Sequence, residues 1–568
     1  MNTVSARGAL GVAARLQWLE PLLLVLALSI WFGYELGNRA LWSPDEGRYA
    51  EIPREMVASG DYLTPRLNGV KYFEKPPLVY WLEAGAIKAF GLDEWAVRLW
   101  PALFALLGCM AVYYLGRRLY GGRAGLFAAL VLACSPLYDV MGGILTLDMP
   151  LAALMTVAMS AFLLGARASP STGRRAWFYL FYAATALAVL TKGLIGAVLP
   201  AMVIGAWIAI LGEWRLLGAM YLPTGTLIFV AIAAPWHVLV SQANPEFAHF
   251  YFIHEHFARY LTTVHHRDKP FWFFIPVLFA GLYPWSALLP FALREVLAGL
   301  WRRRSEHRET WFFVLWAVLP FVFFSFSSSK LIPYIVPVLP PLALLLGHWF
   351  ARDWKNRAMH WHENAALLVM CLIFAAAIVM APVAFPRNEN LINVVSQLGW
   401  RLYLIAAAFV LAGALPLAVR WGNDRRAALA ALFVGAAVLV GSLDLSLSRL
   451  DVGRSVKDLA LLLKHDLAPG DEVMTYEEYY QDLPVYLERR ITVVNWLGEL
   501  EFGAKAEDTS AWMIDTPTFR RRWTQSQRIY LLTSRANYDA LRVNPPGPLC
   551  FLRSTGRVVL LTNQGCRT

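Results

Sequence analysis

Apolar stretches long enough to cross a hydrocarbon core of roughly 30 Å recur along most of the chain. They centre near Val25, Leu107, Leu130, Thr156, Ala184, Val203, Val230, Phe279, Trp316, Pro340, Phe374, Ala408 and Gly435, which predicts about 13 transmembrane helices. The polar intervals between them alternate in character. Five are basic: Arg117, Arg118 and Arg123; Arg167, Arg174 and Arg175; Arg302, Arg303, Arg304 and Arg308; Arg352, Lys355 and Arg357; Arg420, Arg425 and Arg426. Short loops rich in Lys and Arg stay in the cytoplasm. Placing all five there puts the loop 37–95, the loop 242–270 and the C-terminal tail on the opposite side of the membrane. From about Asp451 the spans stop. ITVVNWL, RIYLLT and RVVLLT read as short β-strands, and SVKDLALLLKHDL as a helix. The fold class expected is an α-helical polytopic membrane protein, residues 1–446, followed by a soluble α/β domain, residues 447–568, with no catalytic motif of its own. That domain reads as an accessory that aids folding or covers a site.

Composition strengthens this picture. Of 568 residues 58% are hydrophobic and only 16% charged, with a mean hydropathy of +0.47, far outside the soluble range. The net charge of +11 would raise nucleic acid as a partner for a soluble chain, but the cations sit in short loops between spans, so no nucleic-acid partner is expected. Arg7 and Arg15 precede the first apolar run and no small-residue cleavage site follows, which reads as an uncleaved signal anchor. The five cysteines have no zinc-finger spacing. Cys109, Cys134 and Cys371 lie in spans as packing residues, while Cys550 and Cys566 flank a possible hairpin where a disulfide is plausible outside the cytoplasm.

One polar stretch stands out against the apolar background: WSPDEGRYAEIPREMVASGDYLTPRLNGVKYFEKPPLVYW, Trp42 to Trp81. Charge gathered beside a membrane span is costly without a function. Ser43, Pro44 and Glu46 have the form of a helix start, with Ser43 as cap and Glu46 closing a capping box. On that helix Asp45, Arg48 and Ile52 share one side. Asp45 has a structural reading, as a first-turn carboxylate, and a catalytic one. Arg54 and Glu55 lie past Pro53 and belong to a kinked continuation. Glu74 and Lys75 precede two prolines that stiffen their presentation. Lys75 either snorkels to the interface or neutralises a lipid phosphate.

The pattern PDEGRYAEIPREMVASGD followed by YFEKPPLVYW resembles the first extracytoplasmic loop of bacterial aminoarabinose transferases, GT-C membrane glycosyltransferases related to protein O-mannosyltransferases. HEHFARYL, HRDKPFWFF, YPWSALLP and SSSKLIPY extend the likeness over roughly the first 350 residues. It implies an inverting transfer of 4-amino-4-deoxy-L-arabinose from undecaprenyl phosphate to lipid A phosphates at the periplasmic face of the inner membrane. That is a lipopolysaccharide modification linked to polymyxin and cationic-peptide resistance. The same signatures occur in relatives with other polyprenyl-linked sugars or protein Ser/Thr acceptors, and a lipid-linked substrate transporter is the reading from a different class. Under the resemblance Asp45 and Asp148 are the catalytic carboxylates, with a helix-start role as the alternative for Asp148. Arg48, Lys75, Arg259, Lys330 and Tyr334 bind the donor phosphate, with helix-end capping as the alternative for Lys330. Glu74, His256 and His266 are candidate ligands for a divalent metal such as zinc, and no nucleotide cofactor is implied. The expected partners are the donor, lipid A and membrane lipids, and the expected state is a monomer.

Overall fold

A computed structural model describes residues 4–34, 36–253, 269–298, 300–354, 361–385, 389–420, 425–448, 450 and 455–565. Helix α1 (Val4–Gly33) leads into the polar stretch, which forms α2 (Asp45–Ser59), the two-residue strands β1 (Arg66–Leu67) and β2 (Val70–Lys71), and α3 (Leu78–Phe90). Then come α4 (Glu94–Tyr120), α5 (Gly122–Ala133), α6 (Pro136–Gly142), α7 (Asp148–Arg167) and α8 (Thr172–Lys192). The remaining spans run from Ile195 to Leu447.

Every one of the expected span centres falls in a helix, but the number of spans is smaller than 13 by length and composition. Among the described residues 8 helices are long and apolar enough to cross a membrane, or up to 10 with the bent pairs Gly122–Ala133 with Pro136–Gly142 (70°) and Phe271–Gly281 with Trp285–Leu297 (104°). The difference lies in two shorter apolar helices, Trp18–Gly33 and Ile195–Leu211, and in α8, whose ends carry Arg174, Arg175 and Lys192. The chain is a multi-pass membrane protein. The basic loops gather at one end of the bundle: Arg167 pairs with Glu309, Arg308 with Glu213, and Arg123 and Arg426 both stack over Trp354.

Past the last span the chain folds as α9 (Lys457–Asp466), β3 (Glu472–Tyr476), α10 (Leu483–Leu487), β4 (Thr492–Val494), α11 (Glu501–Ala506), β5 (Met513–Ile514), α12 (Thr516–Trp523), β6 (Ile529–Ser534), α13 (Arg535–Val543), β7 (Cys550–Thr555) and β8 (Val558–Thr562). The sheet order is β5-β4-β3-β6-β8-β7. β3 to β6 pair in parallel and the C-terminal hairpin adds antiparallel strands. Alternate side chains of β6 and β8 serve two cores. Ile529, Leu531, Val559 and Leu561 meet Phe519, Trp523 and Leu541 on one face. On the other, Tyr530, Leu532, Val558 and Leu560 join Tyr49, Ile52, Met56 and Tyr72 of the first loop. That second core is shared, so loop and domain are one packed layer rather than a site with a separate cover. Cys550 is disulfide-bonded, and Cys566 lies outside the described residues. Cys109, Cys134 and Cys371 are buried free thiols.

Candidate active site

The first loop is anchored through Glu46, which is 1% exposed. Its Oε1 accepts from Arg39 Nη2 (3.0 Å), Arg98 Nε (2.8 Å) and the Leu145 N–H (3.0 Å); its Oε2 accepts from Arg39 Nη1, Arg98 Nη2 (3.0 Å) and the Trp42 N–H (3.0 Å). Burial alone would raise the Glu46 pKa, but the Arg98 and Arg39 cations outweigh it and hold it well below the carboxylate range. The expected capping box does not form. Ser43 Oγ turns away to donate to Asp482 Oδ1 at 2.5 Å, and α2 starts without a side-chain cap. The two groups read as a local cap each reach a distant segment. Helix α2 also runs through Pro53 without ending, with Arg54 clamping Glu51 at 2.6 Å through both Nε and Nη2.

Anchored in this way, α2 presents Asp45 at its first position, half exposed, with Arg48 one turn on. Arg48 Nη1 reaches Asp45 Oδ1 at 3.3 Å and Nη2 reaches Glu499 Oε2 at 2.6 Å. Gln481 Nε2 donates to Glu499 Oε1 at 2.8 Å. Burial and the carboxylates of Glu74 and Asp45 push the Glu499 pKa up against the pull of Arg48 and Gln481. Arg48 is buried too, yet Glu499 and its neighbours raise its pKa further, so it stays a cation. Tyr49 stacks on Tyr80 with centroids 6.1 Å apart. Burial raises the Tyr49 pKa; Arg48 opposes this, while Asp45, Glu74 and Asp148 add to it. The Arg48 guanidinium lies 5.7 Å from the Tyr49 ring centre.

Asp148 opens α7 and forms an ion pair with Lys192, the last residue of α8. Lys192 Nζ also sits 4.8 Å from the ring centre of Tyr334. Tyr334 lies in a 3-10 segment, Ile332–Val338, that packs on Phe324. Lys330 is buried, and its ammonium donates to the Ser327 carbonyl (2.6 Å) and the Lys269 carbonyl (3.0 Å). Ser327 is the C-cap of the helix Arg308–Phe326, so Lys330 makes the helix-end bond of its alternative reading. Lys75 is half-buried and donates to the Glu74 carbonyl at 2.7 Å. Arg259, His256 and His266 lie outside the described residues. Among the described residues no group of three or more His, Cys, Asp or Glu side chains is gathered for a metal.

Two site residues escape sequence reasoning. Lys192 closes an apolar helix in the manner of an ordinary last-turn cation, and only the fold sets it on Asp148. Glu499 sits in the domain read as accessory, hundreds of residues from Arg48, with no motif around it. The signal available was the carboxylate that a buried Arg48 requires.

The fold and the site define a multi-pass membrane glycosyltransferase of the GT-C class, with acidic and basic groups collected where the first loop meets the C-terminal domain. Residues 19–251 match the dolichyl-phosphate-mannose-protein mannosyltransferase family, and residues 459–563 match the aminoarabinose transferase C-terminal domain. The chain is 30% identical over 519 residues to the undecaprenyl phosphate-alpha-4-amino-4-deoxy-L-arabinose arabinosyl transferase of Erwinia tasmaniensis, spanning 89% of this chain and 91% of the relative. It is 35% identical over 330 residues to the one of Edwardsiella ictaluri, where the match spans 58% of this chain and 59% of the relative. The crystal structure of ArnT from Cupriavidus metallidurans bound to undecaprenyl phosphate superposes with a TM-score of 0.83 at 31% identity, covering 96% of this chain and 98% of that one. Its apo state gives 0.81 at 30% identity over 97% and 98%. The chain belongs to the aminoarabinose transferase family.

Proposed function

We propose that this protein transfers 4-amino-4-deoxy-L-arabinose from undecaprenyl phosphate to phosphate groups of lipid A, at the periplasmic face of the bacterial inner membrane, as a monomer. The observation that carries the reading is the Arg48 guanidinium, held 3.3 Å from Asp45 and 2.6 Å from Glu499 of the C-terminal domain, on the same loop as Lys75. The names of the relatives, and the undecaprenyl phosphate bound to the Cupriavidus protein, support the choice of donor.

In the proposed reaction an acceptor phosphate oxygen attacks the anomeric carbon from the face opposite the donor phosphate. The C–O bond to that phosphate breaks, and its electron pair leaves with undecaprenyl phosphate. The leaving group is already a phosphate, so the work of the protein is alignment and charge neutralisation. Lys75 and Arg48 take the donor phosphate, with Arg259 as a further cation and Tyr334 in support. Asp45, half exposed beside Arg48, faces the sugar, where it binds the amine or steadies positive charge at the reacting carbon. A phosphate acceptor is already anionic near pH 7 and needs little deprotonation, in contrast to a Ser or Thr hydroxyl, which needs a base. Asp148, tied to Lys192, orders the cations behind the site.

A divalent cation, zinc first, on Glu74, His256 and His266 is a separate proposal. It predicts stoichiometric metal in the purified protein that is lost in Glu74→Ala. The central test is mass spectrometry of lipid A from cells with and without the gene, together with turnover by the purified protein in detergent, where a transporter has no readout. A pentosamine increment that disappears in Asp45→Asn supports the reading. Its absence alongside a different sugar adduct, or glycosylated protein, replaces it with the corresponding GT-C transferase.

A further inference from the structure

We propose that Phe502 of the C-terminal domain is a positioning residue for the donor phosphate site, acting through Phe73 on the Glu74–Lys75 pair. The inference rests on the donor reading above and assigns the C-terminal domain a part in it. The stretch from Glu499 to Glu507 touches the first loop at Arg48, Arg66, Lys71 and Phe73. Glu499 holds Arg48 at 2.6 Å. Glu507 binds Arg66 at 2.8 Å and the Lys71 N–H at 3.0 Å. Between them the Phe502 ring stacks on Phe250, centroids 3.8 Å apart and planes 20° apart, and meets the edge of Phe73 at 6.1 Å.

Phe73 is 1% exposed and immediately precedes Glu74 and Lys75. Its other neighbour is Phe247, at 5.2 Å and 88°, and Lys71 Nζ reaches Glu246 at 2.7 Å. Phe502 thus closes an aromatic set that fixes the backbone entering Glu74–Lys75 against the segment 246–252. The close approach is built into the sequence: a Cβ on Gly503 would lie 2.2 Å from the Lys71 carbonyl oxygen and 2.5 Å from Val70 Cγ1, so only glycine lets α11 seat its neighbouring ring. Pro76 and Pro77 stiffen Lys75 from the C-terminal side and the Phe502–Phe73 contact from the N-terminal side. A phosphate ligand held by a cation that is fixed at both ends loses affinity when one end is freed, because the ammonium must then be ordered on binding.

The test uses purified full-length protein. Undecaprenyl phosphate binding and transfer kinetics are measured for the unmodified protein, Phe502→Ala, Phe502→Leu, Phe502→Tyr, Gly503→Ala and, as control, Phe551→Ala on the exposed β7 edge. Phe502→Ala and Gly503→Ala are expected to raise Kd for undecaprenyl phosphate and KM for the donor by about 5- to 10-fold, with kcat within about 2-fold. Phe502→Tyr, which keeps the ring, restores both constants, and Phe551→Ala changes neither. Phe502→Leu keeps apolar bulk without the ring and carries the same expectation as the alanine variant if that variant does not fold. Unchanged Kd in both ring-less variants, or an equal loss in Phe551→Ala, overturns the proposal while leaving the donor reading standing. An unmodified protein that does not bind undecaprenyl phosphate overturns the donor reading, and the proposal with it.

Discussion

Glu46 and Glu83 are both buried glutamates of the first loop, 1% and 0% exposed, and their surroundings are opposite. The six bonds to Glu46 divide three to each oxygen, two of each three from guanidinium groups. Among the described residues Glu83 has no hydrogen-bond partner on either oxygen; burial, helped by the nearby Glu46 charge, raises its pKa well above the usual range. Glu46→Gln replaces one oxygen with an NH2 group that faces three donors. At about 1.5–3 kcal/mol for each charge-assisted bond, two such bonds give ~3–6 kcal/mol, in line with ~3–5 kcal/mol for breaking a buried ion pair from one side. Glu83→Gln breaks no hydrogen bond seen among the described residues, keeps the side chain's size and costs under ~1 kcal/mol. Thermal unfolding of the two purified variants checks this. At about 2–4 °C per kcal/mol for a unit of this size, Glu46→Gln drops by ~6–24 °C while Glu83→Gln stays within ~4 °C. The pH dependence follows the same sign. The Glu46 pKa is depressed in the folded state, so its contribution is complete above the unfolded value of about 4.3 and is lost as pH falls toward the folded one. The Glu46→Gln deficit therefore narrows in acid. Equal stability losses in both variants, or a Glu46→Gln protein as stable as the parent, would refute the reasoning.

Lys192→Met and Asp148→Asn are each expected to lower transfer about 10²-fold, and the double variant should be little worse than either single one, since the pair acts as a unit; additive losses would separate their roles. Gly47→Ala places a Cβ 2.5 Å from the Asp482 backbone nitrogen, and overpacking of this kind costs about 1–3 kcal/mol, read as faster proteolytic release of the C-terminal domain. Asn68 is fully buried and bonds Ile491 in both directions, at 3.0 and 2.9 Å; Asn68→Ala leaves both Ile491 groups unpaired, a loss of about 2–4 kcal/mol visible in the same unfolding assay.

The hydrophobic pattern was sufficient for a helical membrane bundle with a soluble C-terminal unit, because apolar length and loop charge are properties of consecutive residues and the bilayer reads them locally. The strand segments ITVVNWL, RIYLLT and RVVLLT were legible for the same reason, and the polar stretch after the first span stood out as the candidate site because charge there has no membrane role. Ser43 and Glu46 show where local reading stops. Their spacing satisfies a capping box, yet burial against partners far along the chain outweighs one local bond, and only the fold supplies Arg98 and Asp482. Lys192 and Glu499 are further instances, each an ordinary residue in its own neighbourhood. What the tertiary structure alone decided is that the C-terminal domain shares a core with the first loop and lends Glu499 to the site. A buried guanidinium such as Arg48 needs a counter-charge, and the sequence states the need without stating which distant carboxylate meets it.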